Sequence, residues 1–242
     1  MDNLNLPQIR AGNIGSASIS QEEYLKASQY FHWATKEHFI LWLTGSLKRH
    51  RRTEVMLPRL AKRYELNRER SLFATKYGKR LVYSCPRKIR SSQHILRIEH
   101  GLGCTEVLTR FYISYKNVEV IEEREFRGCG CIPESGLIYP NRTMFLFEFS
   151  TEHDFMYSNR INSKLLAYKN NLWKINERFK AQGVVIFVID VQRERIEKYL
   201  KDAPKVPAYF TDYDSFKKVP IGQQLTAPIY LWEGVSYPLS HD

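Results

Sequence analysis

Cysteine is scarce: the 242 residues hold four, Cys85, Cys104, Cys129 and Cys131, without the spacing of a disulfide framework. A cross-linked secreted scaffold is therefore not expected. Long hydrophobic runs are missing too. The longest, Val184-Val185-Ile186-Phe187-Val188-Ile189, is six residues, against the roughly 20 that a membrane-spanning helix requires. The opening residues Met1-Asp2-Asn3-Leu4-Asn5 carry neither a positive leader nor an apolar segment, so a soluble, cytoplasmic chain without a membrane partner is expected. There is no Gly-rich phosphate loop, no Gly-x-Ser-x-Gly elbow and no His-Glu-x-x-His helix, and the enzymes that depend on those signatures are set aside. Cys129-Gly130-Cys131 has no second Cys/His pair nearby to complete a structural zinc site.

Acidic residues are sparse in one place only. The chain has 37 Lys/Arg against 26 Asp/Glu, a formal charge of +11. Between Lys36 and Arg90 stand 16 basic residues and four acidic ones, whereas the remaining 187 residues hold 21 and 22. The whole surplus thus lies in one short stretch, the footprint of a polyanion-binding module beside a nearly neutral partner. With 43% hydrophobic and 13% aromatic residues the chain has ample material for a packed core.

Residues 1–19 lack apolar periodicity and read as a flexible arm. Ser20-Gln21-Glu22-Glu23 has the form of a capping box and predicts a helix to about residue 32. Thr35 opens a second helix, with Phe39, Leu43 and Leu47 at fours, ending over 45–48. A third segment, from residue 50, sets Val55, Leu57 and Leu60 against Arg51, Arg52, Arg59, Lys62 and Arg63, with Pro58 expected to break it. Strand, turn and strand follow at 72–75, 76–79 and 80–83, the turn region carrying Lys76, Lys79 and Arg80. Three short helices and a basic hairpin are the order of a winged helix-turn-helix, whose third helix enters the major groove while the hairpin lies along the phosphates. The aromatics Phe31, Trp33 and Trp42 read as its core, and the scattered histidines as surface or satisfied core residues.

The second half predicts a helix over 94–112, with Glu99 and Glu106 on one face, then a strand over 118–126 with Val118 and Val120 inward. A hairpin follows, with strands at 136–139 and 144–149 around Pro140-Asn141. Ile161, Leu165, Tyr168, Leu172, Ile175 and Phe179 make one helical stripe, and 184–189 a buried strand. A helix over 193–200 and short strands near 208–210 and 229–232 complete an α/β or α+β arrangement with a mixed sheet.

One residue in this half demands chemistry. Glu148 stands inside the apolar strand Phe145-Leu146-Phe147-Glu148-Phe149, where an unpaired charge is expensive, so it should be protonated, paired or metal-bound. Glu134 lies at the start of the other hairpin strand, close enough in register to stand beside it. Two carboxylates and a water-activating lysine would make a divalent-metal site for phosphodiester hydrolysis.

These residues resemble the replication-relaxation family of plasmids and mobile elements. Ile98-Glu99-His100-Gly101-Leu102-Gly103-Cys104-Thr105-Glu106-Val107-Leu108 looks like that family's opening nuclease-domain helix, with His100 and Glu106 in place. Ile132-Pro133-Glu134-Ser135-Gly136-Leu137-Ile138 looks like its Pro-Asp segment, and Phe145-Leu146-Phe147-Glu148-Phe149-Ser150-Thr151-Glu152 like its Glu-containing strand. Ile161-Asn162-Ser163-Lys164-Leu165-Leu166-Ala167-Tyr168 is similar to the helix that follows. The resemblance implies an α+β chain: a flexible arm (1–19), a winged helix (20–90) and a nuclease-like α/β domain of the PD-(D/E)XK type (91–242). It implies Glu134, Glu148 and Glu106 as catalytic positions, with Mg²⁺ or Mn²⁺ on Glu134 and Glu148 if the site is active. Two departures bear on activity: Glu134 replaces an Asp, and Ser150 stands where the lysine belongs. Lys164 is the candidate substitute, or else the buried counter-ion of Glu148.

The expected function is therefore a cytoplasmic double-stranded-DNA-binding protein of a plasmid or mobile element, acting in replication or relaxation with a degenerate nuclease domain. Expected phosphate contacts are Arg51, Arg52, Arg59, Lys62 and Arg63 on the groove helix and Lys76, Lys79 and Arg80 on the wing. A relaxase or replication protein and a second copy of the chain are the partners this implies. The alternatives are a metal-dependent endonuclease using Glu134, Glu148 and the migrated Lys164, a DNA-binding transcriptional regulator, and an RNA-binding or scaffolding protein.

Overall fold

A computed structural model describes residues 19–46, 48, 50–63, 65–70, 81–85, 95–114, 117–156, 159–204, 206, 208–221, 223–224, 230–231 and 235–236. The expected arm before residue 19 and the hairpin tip with Lys76, Lys79 and Arg80 lie outside the described residues. Contacts group the chain into two compact units that divide between Thr109 and Arg110, within one long helix.

The N-terminal unit begins as its sequence dictates. Glu23 N–H donates to Ser20 Oγ at 3.2 Å while Ser20 N–H donates to Glu23 Oε2 at 2.6 Å, and this reciprocal cap starts α1 (Gln21–Tyr30). The two-residue strand β1 (Ala34–Thr35) leads into α2 (Lys36–Thr44), which Gly45 ends in the left-handed conformation, φ 66°. Helix α3 (Arg51–Lys62) buries Thr53, Leu57 and Leu60. The hydroxyls of Tyr24 and Thr53, 2.8 Å apart, tie α1 to α3, and Phe31 meets Phe39 edge-on at 5.1 Å. Strand β3 (Leu81–Ser84) pairs antiparallel with both β1 and β2 (Asn67–Arg70), in the order β1-β3-β2.

One expectation for this unit needs correction. Helix α3 continues through Pro58: the proline removes one hydrogen bond, but the burial of Leu57 and Leu60 on either side holds the helix against its neighbours α1 and α2. The strand expected over 72–75 lies outside the described residues, and the strand described before it, β2 at Asn67–Arg70, pairs with β3.

Helix α4 (Ile95–Ser114) forms despite Gly101 and Gly103. Gly101 is there because of a close approach: a Cβ at this position would stand 2.8 Å from Trp33 Cδ1 and 3.1 Å from His32 Cβ. Gly101→Ala is expected to destabilise the protein by about 1 kcal/mol in urea melts, the helix-propensity gain being outweighed by overpacking against Trp33. A stabilised variant would show that Trp33 moves aside without cost.

Among the described residues the C-terminal unit is built on a seven-stranded mixed sheet, ordered β10-β9-β8-β7-β6-β5-β4. Its strands are β4 (Glu119–Glu122), β5 (Ser135–Ile138), β6 (Thr143–Ser150), β7 (Gln182–Ile189), β8 (Ala208–Asp212), β9 (Tyr230–Leu231) and β10 (Val235–Ser236). The pairs β4–β5 and β5–β6 are antiparallel, whereas β6–β7 and β7–β8 are parallel. Parallel neighbours need crossovers, supplied by α5 (Glu152–Met156) with α6 (Asn159–Phe179), and by α7 (Arg193–Leu200). On β6 the alternation sends Met144 and Leu146 into a core with Ile161, Leu165, Tyr168 and Ile175 of α6. Phe145, Phe147 and Phe149 meet Phe111 of α4 and Tyr213 of α8 (Tyr213–Lys218), so the strand is covered on both faces.

The strand expected over 118–126 is shorter, because a 3-10 turn at Glu123–Phe126 swings Phe126 into the core, and Ile121 rather than Val118 or Val120 is the buried residue. Helices α5 and α8 are five and six residues long, too short to register as periodicity. The chain is thus an α+β protein with a mixed sheet. Among the described residues no helix is long and apolar enough to cross a membrane.

Candidate functional site

The first candidate surface is α3. At about 100° per residue, Arg51, Lys62, Val55, Arg59, Arg52 and Arg63 fall in that angular order within an arc of about 120°. All six are exposed, and Thr53, Leu57 and Leu60 occupy the opposite side. The hydrophobic face is fixed by burial, so the cations have only one direction to point. Glu54, the helix's one acidic residue, lies off the arc and binds Lys36 Nζ at 3.1 Å. The result is a cationic strip about three turns long, in which Arg52 also acts on the Glu23 carboxylate, of the kind that neutralises phosphates.

The second is a buried carboxylate cluster in the C-terminal unit. Glu134 N–H donates to the Phe147 carbonyl at 3.0 Å, extending the β5–β6 ladder by one rung and setting Glu134 beside Glu148. Glu148, 1% exposed, shares the face of Met144 and Leu146 that looks onto α6. There Lys164 and Tyr168, four residues and so one turn apart, stand over it. Lys164 Nζ donates to Glu134 Oε1 at 3.0 Å and also to Glu148 Oε2, while Tyr168 Oη donates to Glu148 Oε1 at 2.6 Å.

The electrostatics follow from this enclosure. Burial pushes the Glu148 carboxyl up, against the pull of Lys164. Burial also works against the Lys164 ammonium, but the Glu148 and Glu134 carboxylates together outweigh it and raise the lysine above its ordinary range. Burial and the adjoining Glu148 hold the Tyr168 hydroxyl protonated, as a donor needs to be. Nearby, burial, with Cys129 beside it, lifts the Cys131 thiol to about 11, so it stands as a neutral thiol.

A Mg²⁺ or Mn²⁺ ion asks for oxygen ligands in a near-octahedral set. Here the ammonium of Lys164 already bridges the two carboxylates, and Tyr168 takes the second oxygen of Glu148. As arranged, this donor set does not fit a divalent ion. It fits a closed internal ion pair.

Glu134, Glu148 and Lys164 thus come together as the sequence suggested. Tyr168 was legible only as a core residue; its four-residue spacing from Lys164 was the available signal for its second role. Glu106 belongs to the N-terminal unit, where its Oε2 lies 2.7 Å from His38 Nε2. His38 Nδ1 accepts from Thr35 N–H at 3.1 Å, so Nε2 carries the proton and donates to Glu106. Among the described residues, no three-ligand cluster includes Cys129 or Cys131. Compared with known proteins, the chain matches no family model, no curated protein and no solved structure.

Proposed function

We propose that this chain is a double-stranded-DNA-binding protein whose nuclease-like unit is closed by its own lysine. The observation that carries the reading is the exposed arc of Arg51, Arg52, Arg59, Lys62 and Arg63 on α3. It is supported by the order helix, strand, helix, helix, strand, strand and the β1-β3-β2 sheet, the arrangement a winged helix-turn-helix would have. The nuclease-like reading is supported by a helix, three antiparallel strands, a helix and a parallel strand, with Glu134, Glu148 and Lys164 converging on one face. Within that class the particular reading is the replication-relaxation type, a protein of plasmid or mobile-element replication or its regulation. That narrower assignment rests on the residue patterns around Glu106, Glu134, Glu148 and Lys164.

The test is a salt-series titration on duplex DNA and matched RNA, with Mg²⁺ or Mn²⁺ added in parallel and the products resolved on a denaturing gel. Duplex binding that weakens steeply with salt and leaves the DNA intact is the expected result. Cleavage lost in Glu148→Ala and on chelation would instead make the protein an endonuclease in which the ion displaces Lys164. Equal affinity for RNA would remove the duplex claim.

A further inference from the structure

We infer that Val55 is a base-reading residue, contacting a thymine C5 methyl in the major groove and making duplex binding sequence-selective. The inference rests on the reading of α3 as the DNA-facing helix, and names what that helix recognises.

Val55 is 61% exposed, among the most solvent-accessible large hydrophobic side chains described. Nothing local accounts for it. A β-branched residue lowers helix propensity, and this one is on the side of α3 opposite the packed Thr53, Leu57 and Leu60. Its place in the arc is the informative feature. Arg51 and Lys62 flank it on one side and Arg59, Arg52 and Arg63 on the other, so the sole apolar member of the strip lies between two cationic borders.

Phosphates line both edges of the major groove, so cations on two borders of a helix face seat the strip between them toward the base edges. Arginine or lysine at that position would pair with guanine or phosphate. Valine has no donor and no acceptor, and it would leave a base's polar edge unsatisfied. The one apolar group on the floor of the major groove is the thymine methyl, and a short branched side chain is its complement. The flanking cations supply affinity that ignores sequence, and Val55 adds preference.

The experiment uses the full chain and a duplex pool with a randomised centre, selected by binding at about 200 mM salt, where phosphate contacts alone are weakened. Thymines in the enriched sequence are then replaced one at a time by deoxyuridine, which deletes only the methyl. One such replacement is expected to weaken wild-type binding about fourfold, the transfer free energy of one buried methyl group. Val55→Ser should bind the thymine and uracil duplexes alike with an unchanged salt slope, and Val55→Thr, which keeps a methyl, should retain the discrimination. Salt-sensitive binding without any enriched sequence, silence at every replaced thymine, or discrimination that survives Val55→Ser would each overturn the role of Val55 while leaving the DNA reading standing. Absence of salt-sensitive duplex binding would overturn both.

Discussion

Lys164→Met is expected to destabilise the protein by about 3 kcal/mol at neutral pH, the lower end of the range for removing one partner of a buried ion pair. The lower end applies because Lys164 keeps 33% of its side-chain surface in water, whereas Glu148 keeps 1%. The loss should depend on pH with a definite sign. Burial already raises Glu148, and deleting the cation that opposes this raises it further. A carboxyl whose value is higher folded than unfolded binds more protons in the folded state. Its contribution is fully present below the unfolded value and disappears as pH rises through the folded one. Lys164→Met should therefore be closest to wild type near pH 5 and furthest from it near pH 8. Urea melts at both pH values measure this, and the double variant Glu148→Gln with Lys164→Met should recover most of the stability and lose the extra pH dependence. A small, pH-independent loss would mean that the ion pair is not what holds α6 over β6.

Neutralising the five α3 cations together, Arg51, Arg52, Arg59, Lys62 and Arg63 to Gln, is expected to abolish most duplex affinity. Each phosphate contact contributes about 0.9 to the salt slope, so five contacts weaken wild-type binding roughly 500-fold between about 50 and about 200 mM salt. The variant should lose that part of the slope. Its thermal midpoint should hardly change, because all five side chains are exposed and none belongs to the packed face. Unaltered affinity and slope in a folded variant would move the DNA-binding surface away from α3.

Local signals carried much of this chain. The reciprocal Ser20–Glu23 cap, the Gly45 stop, the four-three stripe of α6 and the unbroken apolar run of β7 each act through neighbours in sequence, and each element stands close to where those signals put it. Expectations failed where a distant partner decides. Pro58 sits inside an intact helix because Leu57 and Leu60 are buried by other elements, and the strand expected to run to 126 stops at Glu122 because Phe126 turns into the core.

Composition and spacing by themselves determined that the charge is concentrated before residue 91, that α3 has one cationic and one apolar side, and that Glu148 must have a partner. Only the tertiary structure decided which partner. Lys164 and Tyr168 reach Glu148 across 16 and 20 residues of sequence, and Glu134 joins them through the β5–β6 register. Likewise it assigned Glu106 to His38, 68 residues away. A charge in an apolar strand announces a need that burial makes costly, but the group that meets it is chosen by strand pairing and helix crossover, which bring together residues that no sequence window contains.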